Sequence, residues 1–239
     1  MKTHRRTQIL VLMLAASWGV FPILGASASG FKPTITLRMV NEAGVDQRTL
    51  TRAAGEATAI LARSGVQLIW LSCEAGLADP TSADPCLRQT GPLEFWFFIV
   101  VRRPRGNSVE MVGFTDWDES STKGLAGAFY PSAALLAQRY RNDCDVYQIL
   151  GAAIAHEVGH LILGANAHSS LGLMQAVWDA AQVKRISTGA LNFTPDQSKR
   201  LQNAIGTKLI RVAAPSGDKN SQPDLEKYIE VVDFSGPSE

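Results

Sequence analysis

The stretch VYQILGAAIAHEVGHLIL, residues 146–163, is apolar on every side when wound as a helix, yet it carries two histidines and a glutamate. A helix that is hydrophobic all round has no face to give to solvent, so it has to form the centre of a fold. Charge buried in such a place is unfavourable unless a metal, a water or a partner satisfies it. The rest of the chain must therefore wrap this helix and provide for His156, Glu157 and His160. Asp143 or Asp145 stands where the N-terminal cap belongs. Gly164 can take the left-handed conformation that ends the helix and turns the chain back.

The elements around it follow from period and punctuation. Residues 34–40 (TITLRMV) alternate and are rich in branched side chains, as a strand does. Asp46 opens a helix with an apolar stripe of Leu50, Ala53, Ala57, Ile60 and Leu61, ending near Gly65. Residues 66–72 (VQLIWLS) complete a β-α-β unit, expected to be parallel and right-handed. Residues 93–101 (LEFWFFIVV) are almost continuously apolar, the pattern of a mid-sheet strand buried on both faces. Residues 104–124 read as loop. Residues 124–131 (GLAGAFYP) read as a short strand stopped by its proline, and 132–140 as a helical turn or two. A last helix begins at Thr194 as N-cap, with Pro195 at the first position, Phe193 as a staple, and Leu201, Ile205 and Leu209 inward. The expected class is α+β: a mixed twisted sheet with a β-α-β start, a central helix and a C-terminal helix.

At 239 residues the chain has room for one domain with tails. MKTHRR is basic, the following run to Gly25 is apolar, and Ala26 and Ala28 give an A-x-A site. That order is a secretory signal peptide over residues 1–28, read in preference to an uncleaved anchor. Residues 29–212 then form the domain and 213–239, polar and rich in Pro, Gly and Ser, a disordered tail. The expected location is secreted or periplasmic, with no stable membrane span after cleavage. No propeptide is expected, since the first strand begins soon after the signal. Export makes cysteine pairing feasible, and Cys73 with Cys86 is the natural disulfide, leaving Cys144 odd, with a buried thiol the plainer reading. A net charge of +1 offers no electrostatic reason to expect nucleic acid as a partner.

His156-Glu157-Val158-Gly159-His160 is the H-E-x-x-H pattern. Residues four apart lie one turn apart on one helix face, so both imidazoles can aim at a single ion. Glu157 projects beside them, close enough to reach a water without displacing it. Such an ion acidifies water and polarises a scissile carbonyl, while the carboxylate acts as general base. Apart from His4, every histidine lies between His156 and His168. A catalytic zinc wants three protein ligands and an open position. His168 is the favoured third ligand, and Asp179, the only nearby acid, is the rival.

HEVGHLILGANAHSSLGLM, residues 156–174, resembles the signature of the metzincin metalloproteases, H-E-x-x-H-x-x-G-x-x-H followed by a methionine turn. It is most similar to the matrixin-like members, where serine follows the third histidine. It also looks like a group of exported bacterial proteins with HEIGHLLLG, a third histidine before serine, and GIM ahead of a tryptophan. The resemblance implies that His156, His160 and His168 hold zinc and that Glu157 is the general base. It also implies that Gly164 ends the helix and that Met174 packs beneath the site. Seven residues rather than five separate the second and third histidines here, and the glycine stands one place late. That leaves the third ligand and the shape of the turn open. In such proteases the short strand before the active-site helix is the sheet edge and pairs with a peptide, a part assigned here to residues 125–130. Trp117 and Tyr130 are candidate pocket residues.

These readings converge on an exported zinc metalloendopeptidase acting on a peptide or protein substrate. Two others stand beside it: a zinc-stabilised binding protein that cleaves nothing, with Cys144 as the only available fourth ligand, and a hydrolase of cell-wall peptide amides.

Overall fold

A computed structural model describes residues 32–73, 84–101, 111–117, 124–141 and 143–213, with Trp117 and residues 211–213 described by their backbone alone. The expected signal peptide and, from residue 214 on, the expected tail lie outside these residues. Five strands and five helices are present among them: β1 (Thr34–Asn41), α1 (Gln47–Arg63), β2 (Gln67–Cys73), β3 (Glu94–Val100), β4 (Gly113–Trp117), β5 (Gly124–Phe129), α2 (Tyr130–Arg139), α3 (Val146–Leu163), α4 (Ala180–Ser187) and α5 (Pro195–Ala213).

The strands form one sheet in the order β2-β1-β3-β5-β4, parallel except for the antiparallel β4. The fold is thus a mixed α/β arrangement on a mostly parallel five-stranded sheet, compatible with the α+β expectation. β1, α1 and β2 make the β-α-β start. Asp46 caps α1 by accepting from the Thr49 amide at 3.0 Å, and the five apolar stripe residues are the ones it buries.

β3 lies mid-sheet, but it is not buried on both faces. Phe95, Phe97 and Ile99 join the core, whereas Trp96 and Phe98 on the opposite face are half-buried and stack on each other. That outer face stays apolar because Arg38 of β1 covers it. Its guanidinium lies over the Trp96 ring and donates to the Cys86 and Arg88 carbonyls and to the Glu94 carboxylate at 2.8 Å. Arg38 is 1 % exposed, and this arrangement pairs its buried charge through both terminal nitrogens, leaving Nε without a partner, and holds the Cys86 end of the Cys73–Cys86 disulfide against the sheet.

The stretch expected to be loop contains β4, and this overturns the placing of the sheet edge at residues 125–130. β5 lies between β3 and β4, and the edge is β4. Residues 132–140 also make more than a turn or two: α2 runs for ten residues, with Pro131 in its first turn rather than only at the end of the strand.

α3 is the centre of the molecule. Its residues from Ile149 to Ile162 are buried, between the core face of the sheet, α1, α2, α4 and α5. Among the described residues it is the only helix long and apolar enough to cross a membrane, and here that hydrophobicity is spent on the core. Asp145 is its N-cap, with the Gln148 side chain accepting from the Asp145 amide at 3.0 Å, while Asp143 pairs instead with Lys184.

Candidate metal centre

Two histidines reach the site from α3 and one from the turn beyond it. His156 and His160 are both 6 % exposed, and His168 is exposed. Their Nε2 atoms converge: that of His160 lies 3.1 Å from His156 Nε2 and 3.0 Å from His168 Nε2. A ligand nitrogen from each of the three falls within 4.8 Å of the others.

The far side of two rings fixes what this convergence means. His156 Nδ1 meets the Leu173 carbonyl at 2.8 Å and His160 Nδ1 the Gly164 carbonyl at 3.1 Å. A carbonyl only accepts, so both Nδ1 atoms carry the proton and both neutral rings present bare Nε2 lone pairs to each other. A proton does not resolve that conflict. Burial pushes the His156 imidazole down to about 3 and, with the neighbouring histidines opposing charge, outweighs the carbonyl bond. Burial likewise lowers His160. Lone pairs aimed at a common point fit a cation. A tetrahedral ion with bonds of about 2.0–2.1 Å separates its ligand nitrogens by about 3.3 Å, close to the spacings found here. The donor set therefore suits a divalent metal, with the orienting carbonyls that metal-bound histidines require.

Asp179 is not part of this set. It is the N-cap of α4, where its carboxylate accepts from the amides of Ala181 and Gln182. The signal for the short helix that it caps was Asp179 with Gln182 three residues on, a capping box. Gly164 does end α3 with a positive φ of 90°, but at ψ 171° it is in the extended mirror region rather than the left-handed helical one. From there the longer spacer loops out and returns His168 to the cluster.

Glu157 is 5 % exposed and lies on the side of the sheet edge. Thr115 of β4 donates its hydroxyl to Glu157 Oε2 at 2.6 Å. A methyl group on Gly113, in the same strand, would sit 2.5 Å from Glu157 Oε1, so the carboxylate occupies the room that a side chain would take. Burial raises the Glu157 carboxyl to about 7, with the Thr115 bond working against the rise. A carboxyl poised near neutrality can both take up and release a proton.

Met174 is fully buried under the H-E-x-x-H turn. A methyl on Gly159 would lie 2.5 Å from its Sδ and 3.0 Å from the Phe193 ring. Phe193 thus packs under α3, and Ser198, the residue that a staple would need to be apolar, is polar. The site opens into a cleft of about 550 Å³ bounded by β4, α2 and the turn after Met174. Tyr130 is not in its wall; it opens α2 and packs against the core. Trp117 ends β4, its side chain outside the described set. Trp178 is the aromatic in the wall, edge-on to His156 at 5.7 Å between centroids.

Thr115, Gly113 and Trp178 were not singled out by the sequence. The available signal for the first two was the short VGFTDW run, with its branched and aromatic residues. Cys144 precedes α3 at the end away from the cluster, and roughly 15 Å of helix separates its start from His156. No protein-family model matches the chain, and a search of curated proteins finds no match.

Proposed function

We propose that the chain is an exported zinc metallopeptidase of metzincin type, with His156, His160 and His168 as the metal ligands and Glu157 as general base. The observation that carries this reading is the meeting of three Nε2 atoms beside a buried carboxylate at the floor of an open cleft. Imidazole ligands suit zinc, and three of them leave a position for reaction. When bound, the ion would supply Lewis-acid polarisation of the scissile carbonyl and acidification of water.

The chain's own residues supply the rest. Glu157 takes a proton from water at a carboxylate oxygen and returns it to the leaving amine. Thr115 holds that carboxylate through Oε2, and Gly113 leaves it space. β4, the antiparallel strand that brings both residues, stands at the sheet edge among the described residues, the position from which a strand can pair with an extended peptide. Exposed Met111, Leu135 and Val177 line the cleft, which supports a substrate with bulky apolar side chains. The basic, then apolar, then A-x-A order of the N-terminus supports export, and neutral overall charge supports a partner other than nucleic acid.

A metal site that only stabilises a fold closes with a fourth protein ligand. Among the described residues, Cys144, the fourth ligand considered for such a site, is far from the histidines, and Asp179 is engaged as the cap of α4, which favours the enzyme over the zinc-stabilised binding protein. Cell-wall peptide amides fit the same chemistry and stay within the proposal as a substrate class.

The test is a peptide-library digest with zinc-loaded wild type and Glu157→Gln. The wild type should cleave, and the variant should keep its zinc and lose about 10²–10⁴-fold or more in rate. Bound zinc with no turnover on any peptide or cell-wall fragment would favour the binding protein, and full activity in Glu157→Gln would remove that residue from the mechanism.

A further inference from the structure

We infer that Gln197, at the start of α5, is a positioning residue for the metal centre: it clamps the turn that carries His168. This rests on the three-histidine metal reading. His168 is exposed, and its imidazole touches the rest of the protein through His160 alone in the hydrogen-bond pattern of the described residues. What fixes it is its own chain, and that chain is tied down at the next residue. Ser169 Oγ accepts from Gln197 Nε2 at 2.7 Å and donates to the Leu171 carbonyl at 2.8 Å, while the Ser169 amide donates to the Met174 carbonyl at 2.9 Å. The same Gln197 amide nitrogen also donates to the Leu171 carbonyl at 2.9 Å.

Gln197 is itself rigid. It is 5 % exposed, its Oε1 accepts from the Thr194 amide at 2.9 Å, and its backbone amide donates to Thr194 Oγ1 at 3.2 Å. These two bonds are the reciprocal cap of α5. One side chain thus uses its oxygen to start a helix and its nitrogen to hold the turn. The segment just before α5 reaches the metal centre as well: the Asn192 carbonyl accepts from the Leu173 amide at 2.8 Å, and the Leu173 carbonyl is the acceptor for His156 Nδ1. The start of α5 therefore sets the third ligand, and the residues ahead of it help to orient the first.

Zinc affinity measured by competition with a chromophoric chelator tests this. Gln197→Met removes the clamp and the side-chain half of the cap, leaving the backbone amide bond to Thr194 Oγ1, and should weaken zinc binding on the order of tenfold or more, the scale on which residues behind metal ligands act. Thr194→Ala removes only the hydroxyl half of the cap and keeps both clamp bonds, so it should lower the melting temperature while costing less zinc affinity than Gln197→Met. Ser169→Ala keeps the Gln197–Thr194 cap and should weaken zinc several-fold, which provides the test even if Gln197→Met does not fold. In a His168→Ala background the loss caused by Gln197→Met should vanish. Unchanged affinity in Gln197→Met, or in Ser169→Ala if the former does not fold, would overturn the inference, as would a loss that persists without His168. Wild-type protein that takes up no zinc would overturn the metal reading and this inference with it.

Discussion

On α3, His156 and His160 are buried, one helical turn apart, with both rings held through Nδ1 by backbone carbonyls. On the turn after Gly164, His168 is exposed and owes its place to hydrogen bonds of its neighbours. The helix delivers two candidate ligands as a consequence of its period and its burial. The turn delivers the third candidate, whose place, by the inference above, depends on a separate polar network. On the proposed metal reading, such a centre has a rigid pair and an adjustable member, and the two halves should respond differently when disturbed.

The largest difference is expected between ligand deletions. His160→Ala removes a nitrogen that meets both other histidines, and should lower zinc affinity by more than the ~10–100-fold scale of supporting residues. His168→Ala should cost less, because the α3 pair stays preorganised. Competition titrations of the two variants check this, and equal losses would erase the distinction between the halves.

The smallest effect concerns the rigid half at its other end. Cys144, just ahead of α3, is buried, and burial pushes its thiol up to about 12, helped by the negative charges of Asp145, Glu56 and Asp143. The folded state thus favours the neutral thiol. That contribution to stability is whole below the unfolded value of about 9 and is lost as pH rises through about 12. Native protein at pH 8 should therefore alkylate far more slowly than protein unfolded in denaturant, as followed by mass spectrometry. Equal rates would mean that the start of α3 opens readily.

The contrast between helix and turn also explains what could be read from the sequence. α1 and α3 follow from repeated apolar positions, and the five residues expected inside α1 are the five it buries. His156, Glu157 and His160 are set by positions within one helical turn, so their meeting needs no knowledge of the rest. β4 is hard to read because its five residues mix Phe, Thr and Trp with Gly and Asp, so the short run is a weak signal that pairing with β5 completes. With it went the sheet edge and the Thr115 bond to Glu157. The double-sided burial expected of residues 93–101 failed for a related reason: the outer face carrying Trp96 and Phe98 is only half-buried, and its apolar character is explained by Arg38, distant in sequence, lying over Trp96. Asp179 could serve as a ligand or a cap by residue type, and only the position of α4 decides for the cap.

The central claim is that three imidazoles hold one divalent ion and leave it open to substrate. X-ray absorption at the zinc edge on the loaded protein measures this directly. Three imidazole nitrogens at about 2.0–2.1 Å, with one further light ligand and no sulfur, is the result expected. Failure to take up zinc, a sulfur ligand, or a shell of four protein ligands would contradict it.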